Sequence, residues 1–358
     1  MMRFYDALQL DPSALKSQIN SAETWPERWR MRGILIARAI LIVAFALVFI
    51  TPLTTIFGAE NSAMAVALFC ILLAIRFVDF GYRTVDALLN LAVVFFLLLT
   101  APVIASMIHP LLAFGVHLVA LIVILLMTSQ QPEMGNSGLY GFSYVLLTGN
   151  PVTGELFLKR SAMTLAGYII LGIIYYAKHR QKNSSIRFSQ YAKEFRFSNE
   201  KSRWQIRMAL GVSLALTLGK LFHLERFMWA GFACSSLLSV YSDRSNVKKR
   251  SLHRIAGVIT GSLLFFVVYH VIPEALHSVL GIVGGICLGF CAEYRYKTVL
   301  NCFGALSTAS SLYGIGGAVA LRVFDNILGI LFGYIFFLLY QQLVDKRFSS
   351  DNKCVIDS

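Results

Sequence analysis

Arg322 and Asp325 stand three residues apart in a long apolar stretch, near its expected outer end. A helix there would set both side chains on one face. Arg160 holds a matching place in an earlier apolar stretch: it precedes Gly167 by the interval at which Arg322 precedes Gly329. A charge at the centre of a membrane span costs roughly 2.5–3.5 kcal/mol, so such residues mark either a pinned pair or a pathway. Arginine adds a planar fork that grips a carboxylate through two parallel hydrogen bonds. Two readings follow. In the first, Arg322 snorkels and Asp325 pins it. In the second, Arg160 and Arg322 face each other across an interface and bind a small organic anion. Arg250 and Arg254 are expected at the inner mouth, enforcing topology or drawing anions inward.

Other chemistry finds little support. His109, His117, His223, His253, His270 and His277 are scattered, with no HExxH or paired Cys-His spacing, so no metal site is expected. Gly211 to Lys220 lacks the phosphate-loop spacing, which argues against nucleotide hydrolysis. Glu60, Glu225 and Glu274 fall at expected outer turns, and no nucleophile stands near a plausible base. The chain is expected to be neither an enzyme nor the holder of a cofactor. Cys287 and Cys291 share a helix face but read as small buried hydrophobes, like Cys70, Cys234 and Cys302.

The elements that carry these residues are hydrophobic. Of 358 residues, 57% are hydrophobic and only 14% charged, with a mean hydropathy of +0.66. Ordinary globular proteins carry about 25% charged residues. The net charge of +13 sits in short segments between apolar runs, the pattern of a membrane protein rather than of a nucleic-acid binder. The first run, from Gly33 to about Phe57, is far longer than the apolar core of a signal peptide and reads as a span.

Breaks at charges, Pro and Gly divide the chain into about twelve spans. The first six lie near 33–57, 62–76, 84–105, 111–128, 138–153 and 161–177. The second six lie near 205–221, 227–241, 253–270, 275–292, 298–315 and 322–344. Arg28-Trp29-Arg30-Met31-Arg32 opens the first set, and Arg203-Trp204-Gln205-Ile206-Arg207 opens the second. The fold expected is therefore an all-α integral membrane protein of two parallel six-helix repeats, a pseudo-dimer. Its parts are a tail at 1–27, a repeat at 28–177, a basic linker at 178–202, a repeat at 203–345 and a tail at 346–358. Positive residues cluster at 28–32, 76–83, 178–203, 243–254 and 295–297, and at Lys346 and Arg347, which places both termini in the cytoplasm. A plasma-membrane location fits this threading. The linker carries Phe188, Tyr191, Phe195 and Phe197 among its basic residues. It is expected either to connect the repeats or to lie on anionic headgroups of the lipid bilayer.

Three glycine strips recur at four-residue spacing: Gly257 with Gly261, then Gly281, Gly285 and Gly289, then Gly329 with Gly333. Each bares a helix face for close packing, and Gly285, in the middle of its strip, is expected to be tight.

The second half also carries a pattern. Phe227-Met228-Trp229-Ala230 opens a span, Arg250, Arg254, Gly257 and Gly261 follow, and Arg322, Asp325 and Gly329 come late. This order resembles the fusaric-acid-resistance-like membrane family, which includes aromatic acid exporters. Val258 and Asn326 stand where that family commonly has Thr. Over 28–177 the likeness is weaker: Arg83 aligns with Arg254, but Asp86 and Asn90 replace the glycines and Met163 the acid. Plant malate-type anion channels are more distantly similar. The resemblance implies export of small, possibly aromatic, carboxylate anions, with Arg160, Arg322, Asp325 and Trp229 at the substrate. It leaves self-association into a homo-oligomer open. The alternative is a non-transporting membrane assembly or envelope factor with a basic cytoplasmic face.

Overall fold

Lipid offers no partner for a backbone N–H or C=O, so apolar runs meant for a membrane satisfy those groups internally, as helices. The computed structural model describes residues 4–241 and 244–345, and every apolar run named above is helical over most of its length in it. The helices are α1 (Phe4–Leu8), α2 (Pro12–Ser21), α3 (Trp25–Phe57), α4 (Ser62–Ile75), α5 (Thr84–Met107), α6 (Pro110–Thr128) and α7 (Asn136–Thr148). They continue with α8 (Gly154–His179), α9 (Phe188–Glu194), α10 (Glu200–Leu221), α11 (Phe227–Leu238), α12 (Arg244–Val271), α13 (Leu280–Gly289) and α14 (Tyr294–Tyr340). Among the described residues, six helical segments are long and apolar enough to cross a membrane: Trp25–Phe57, Thr84–Met107, Pro110–Thr128, Gly154–His179, Arg244–Val271 and Tyr294–Asp345. Ala59–Ile75, Phe227–Leu238 and Glu274–Gly289 are shorter apolar segments.

Two stretches outside the apolar runs are more ordered than their polarity suggests. Within the tail expected at 1–27, Phe4–Leu8 and Pro12–Ser21 are helical, and these α1 and α2 bury Ala7 and Leu15 against Met31, Ile34 and Leu35 of α3. The basic stretch at 243–254 is not a loop: from Arg244 onward it forms the first turns of α12. The expected tail at 346–358 lies outside the described residues.

Spans 298–315 and 322–344 appear as one helical element interrupted at Gly314, whose φ of 66° and ψ of 165° lie where side-chain-bearing residues are strained. The interruption is a fold-back. Arg254 donates to the hydroxyl of Tyr294 and to the side-chain oxygen of Asn326. In one straight helix those two residues would stand about 48 Å apart, at 1.5 Å per residue. One guanidinium reaches both only if α14 doubles back between them.

The chain separates into two compact units interleaved in sequence. One takes the described residues of Met1–Val48 and Lys249–Ile327, and the other those of Phe49–Lys248 and Leu328–Ser358. Each unit thus draws on both 28–177 and 203–345. In the second unit α10 packs on α6 and α11, α5 on α6 and α8, and α4 on α7 and α8. Gln205 donates to the carbonyls of Leu125 and Ser129, and Trp204 to that of Leu238, which fastens α10 to its neighbours. The short α4 is mostly buried, as an apolar helix surrounded by protein should be.

The glycine strips differ in tightness. In the first unit a Cβ on Gly257 would meet the carbonyl of Arg295 at 3.0 Å, and one on Gly261 the Cα of Val299 at 2.8 Å. On α13, a Cβ on Gly289 would meet the Cβ of Ala39 at 2.7 Å, and one on Gly281 the side chain of Ser307 at 3.3 Å. Gly285 corrects the sequence reading: a Cβ there meets only Val43, at an ordinary 3.6 Å. In the second unit Gly329 lies against the backbone of Ala230, and Gly333 against Cys234.

The first test is topological. Reporters fused after Lys182 and Ser245 should read cytoplasmic and one after Glu274 external, since α12 leads from its basic first turns to the 271–274 turn. A cytoplasmic signal at Glu274 would overturn the threading.

Candidate functional site

The close approach of α12 and α14 at Gly257 and Gly261 draws the polar residues of the first unit into one cluster. Arg254 Nη1 donates to the Tyr294 hydroxyl at 3.1 Å, and Nη2 to Asn326 Oδ1 at 3.3 Å. Asn326 Nδ2 donates to the carbonyl of Arg322 at 2.8 Å. The Arg250 guanidinium stands 3.9 Å from the centre of the Tyr294 ring. Arg322, Asp325 and Asn326 are all buried, with Asp325 only 1% exposed. Cys302, Arg254 and Asp325 are the electrostatic neighbours of Arg322.

The sequence reading set Arg250 and Arg254 at the inner mouth, apart from an outer Arg322–Asp325 pair. The structure joins them. Arg322 lies roughly 12 Å along the helix from the fold at Gly314, one turn from the Asn326 that Arg254 holds. The cluster sets the buried Arg322 beside one carboxylate, with Arg254 next to it and Arg250 next to Arg254, both partly buried. Such an excess of positive charge favours an anion, and the forks suit a carboxylate.

Arg160 sits in the second unit, 1% exposed, and is fully occupied in a different manner. Its Nε donates to Asn61 Oδ1 at 2.8 Å, Nη1 to the carbonyl of Asn150 at 2.8 Å and Nη2 to that of Glu60 at 3.1 Å. Asn61 in turn donates to the carbonyls of Phe57 and Leu156. This arrangement clamps the turn before α4 to the turn after α7. Arg160→Gln should therefore lower stability in detergent by about 2 kcal/mol or more, because buried acceptors lose a charged donor. An unchanged melting temperature would contradict the clamp. Trp229 is also in the second unit, buried at the start of α11 with the Arg226 guanidinium 5.7 Å from its ring centre. Of the four residues expected at the substrate, Arg322 and Asp325 share a cluster, whereas Arg160 and Trp229 fall in the other unit.

The basic linker is docked on its own chain. Phe188 and Tyr191 of α9 pack on Tyr82, with ring centres 5.3 and 6.2 Å away. Arg83 N donates to the carbonyl of Ile186, and Phe188 N to the Asp86 carboxylate. Lys201 caps the stack, 4.6 Å from the Tyr191 ring centre. Burial pushes the Tyr191 phenol above its ordinary pKa, and the nearby Glu194 and Asp79 carboxylates add to the effect.

Tyr294, Asn326 and Asn61 complete these sites, and sequence reasoning assigned a role to none of them. Only Asn326 left a signal, as a polar residue one turn after an intramembrane arginine.

Residues 214–336 match the family described as Fusaric acid resistance protein-like. Arg250, Arg254, Tyr294, Arg322, Asp325 and Asn326 all fall inside the matched stretch. No curated protein and no solved structure matches the chain. The matched family and the apolar helices together make this a multi-pass membrane protein.

Proposed function

We propose that this chain is a transporter that carries small organic carboxylate anions out of the cell across the plasma membrane. The observation that carries the reading is the buried Arg322, Asp325 and Asn326 joined by the partly buried Arg254, inside the stretch that matches the fusaric acid resistance-like family. Arg322 grips the carboxylate, Asp325 limits how tightly it is held, and Arg254 and Arg250 supply the positive field. An inside-negative potential favours anion exit by about 2.3 kcal/mol per charge per 100 mV, so export needs no nucleotide.

The architecture belonging to this reading is two parallel repeats of six spans, with both termini cytoplasmic. One pairing supports it: Gly167 packs on Leu68 and Gly329 packs on Ala230, and in each pair the partner lies equally far upstream. A glycine contact at the same spacing in each half is what such a repeat would leave. Cells expressing the chain should accumulate several-fold less labelled benzoate than cells without it. Equal accumulation would count for an assembly factor instead.

A further inference from the structure

The second unit holds a cavity of about 240 Å³ among the ends of α5, α6, α7, α10 and α11. Pro102, Pro110, Leu216 and Phe227 give it apolar walls, and Lys220 and His117 give it polar ones. Lys220 Nζ donates to the carbonyls of Ala105 and Ser106 at 2.9 and 3.1 Å, the last-turn acceptors that α5 cannot satisfy itself. An ammonium has three donors, so one remains. His117 Nδ1 lies 2.8 Å from the Tyr144 hydroxyl. The Tyr144 hydroxyl can donate to Nδ1, and in that tautomer the ring proton sits on Nε2, the ring nitrogen that Tyr144 does not engage.

We propose that this cavity is a binding site for a small amphiphilic monoanion, its carboxylate on Lys220 and His117 Nε2 and its apolar body against Phe227 and the prolines. The size admits one ring, and a single cation matches a single negative charge. The site is separate from the Arg322 cluster, which belongs to the other unit, and binding here does not depend on transport.

Benzoate and its neutral counterpart benzyl alcohol, titrated by calorimetry into the purified full chain in detergent, test the proposal. Benzoate should bind at least tenfold more tightly than benzyl alcohol, and Lys220→Gln should remove most of that preference. Ser106→Phe, which fills the cavity but keeps the backbone carbonyl that Lys220 holds, should abolish the binding. Equal affinity for the two probes would overturn the proposal. So would benzoate binding that survives in both variants, which would belong to the Arg322 cluster. If a variant fails to fold, Arg322→Gln still decides: benzoate binding with its preference over benzyl alcohol intact supports the cavity, and loss of that preference overturns it. Binding without flux would support the cavity and count only against the transport reading. Flux without binding at Lys220 would remove the cavity alone.

Discussion

Arg322→Gln is expected to cut organic-anion flux at least tenfold while the protein still reaches the membrane. Glutamine cannot supply the charged two-pronged contact, and a hydrogen bond to a charged group is worth about 1.5–3 kcal/mol. That range alone gives a tenfold or greater loss. Arg322→Lys should fall short as well, because an ammonium is a point charge and cannot match the planar fork. Asp325→Asn keeps the shape of the buried side chain and removes its charge, so anions should bind more tightly and leave more slowly. If Arg322 is instead a purely structural partner of Asp325, Arg322→Gln would reduce folded protein and leave flux per molecule intact. The double variant Arg322→Gln with Asp325→Asn separates these accounts. It removes the stranded carboxylate, so it should restore yield without restoring flux. Full flux from either variant would sink the anion role of Arg322.

The second large effect concerns packing, and its sign differs between glycines of similar sequence setting. Gly261→Ala should destabilise the protein by about 2–3 kcal/mol, since the new methyl group would press on the backbone of Val299, which cannot swing aside. Gly329→Ala, set against the backbone of Ala230, should behave alike. Gly285→Ala should do the opposite. Its methyl group meets only Val43 at 3.6 Å, and alanine gains about 0.5–1 kcal/mol over glycine within a helix. Thermal unfolding in one detergent measures all three. A loss at Gly285 would contradict its open setting against Val43, and unchanged stability in Gly261→Ala would contradict the close α12–α14 contact.

Much of this was readable from residue order, and what was not has physical reasons. Long apolar runs announce helices, so α3, α5, α6, α8 and α12 were legible. So was the presence of buried arginines. Their partners were not. Arg160 is held by two backbone carbonyls, and a carbonyl is the same chemical group at every residue. Gly314 is one of many glycines in apolar helices; nothing in its letter distinguishes a left-handed fold-back from a packing contact. The separate spans expected at 298–315 and 322–344 already required a turn between them; residue order did not show which side chains that turn brings together, so Arg254 stood apart from Arg322 until the structure united them. Gly285 fails for a related reason: spacing places a glycine on a face, but only the neighbouring helix decides whether that face is crowded.

Flux through purified protein in liposomes tests the central claim most directly. Vesicles loaded with labelled benzoate, at a pH well above its carboxylate pKa, would be given an inside-negative potential and then its reverse. Each 100 mV biases a single charge by about 2.3 kcal/mol, roughly fifty-fold at equilibrium. Protein-dependent benzoate exit should therefore rise under the first polarity and fall under the second, with benzyl alcohol indifferent to both. Benzoate release that matches protein-free vesicles at both polarities would contradict the account.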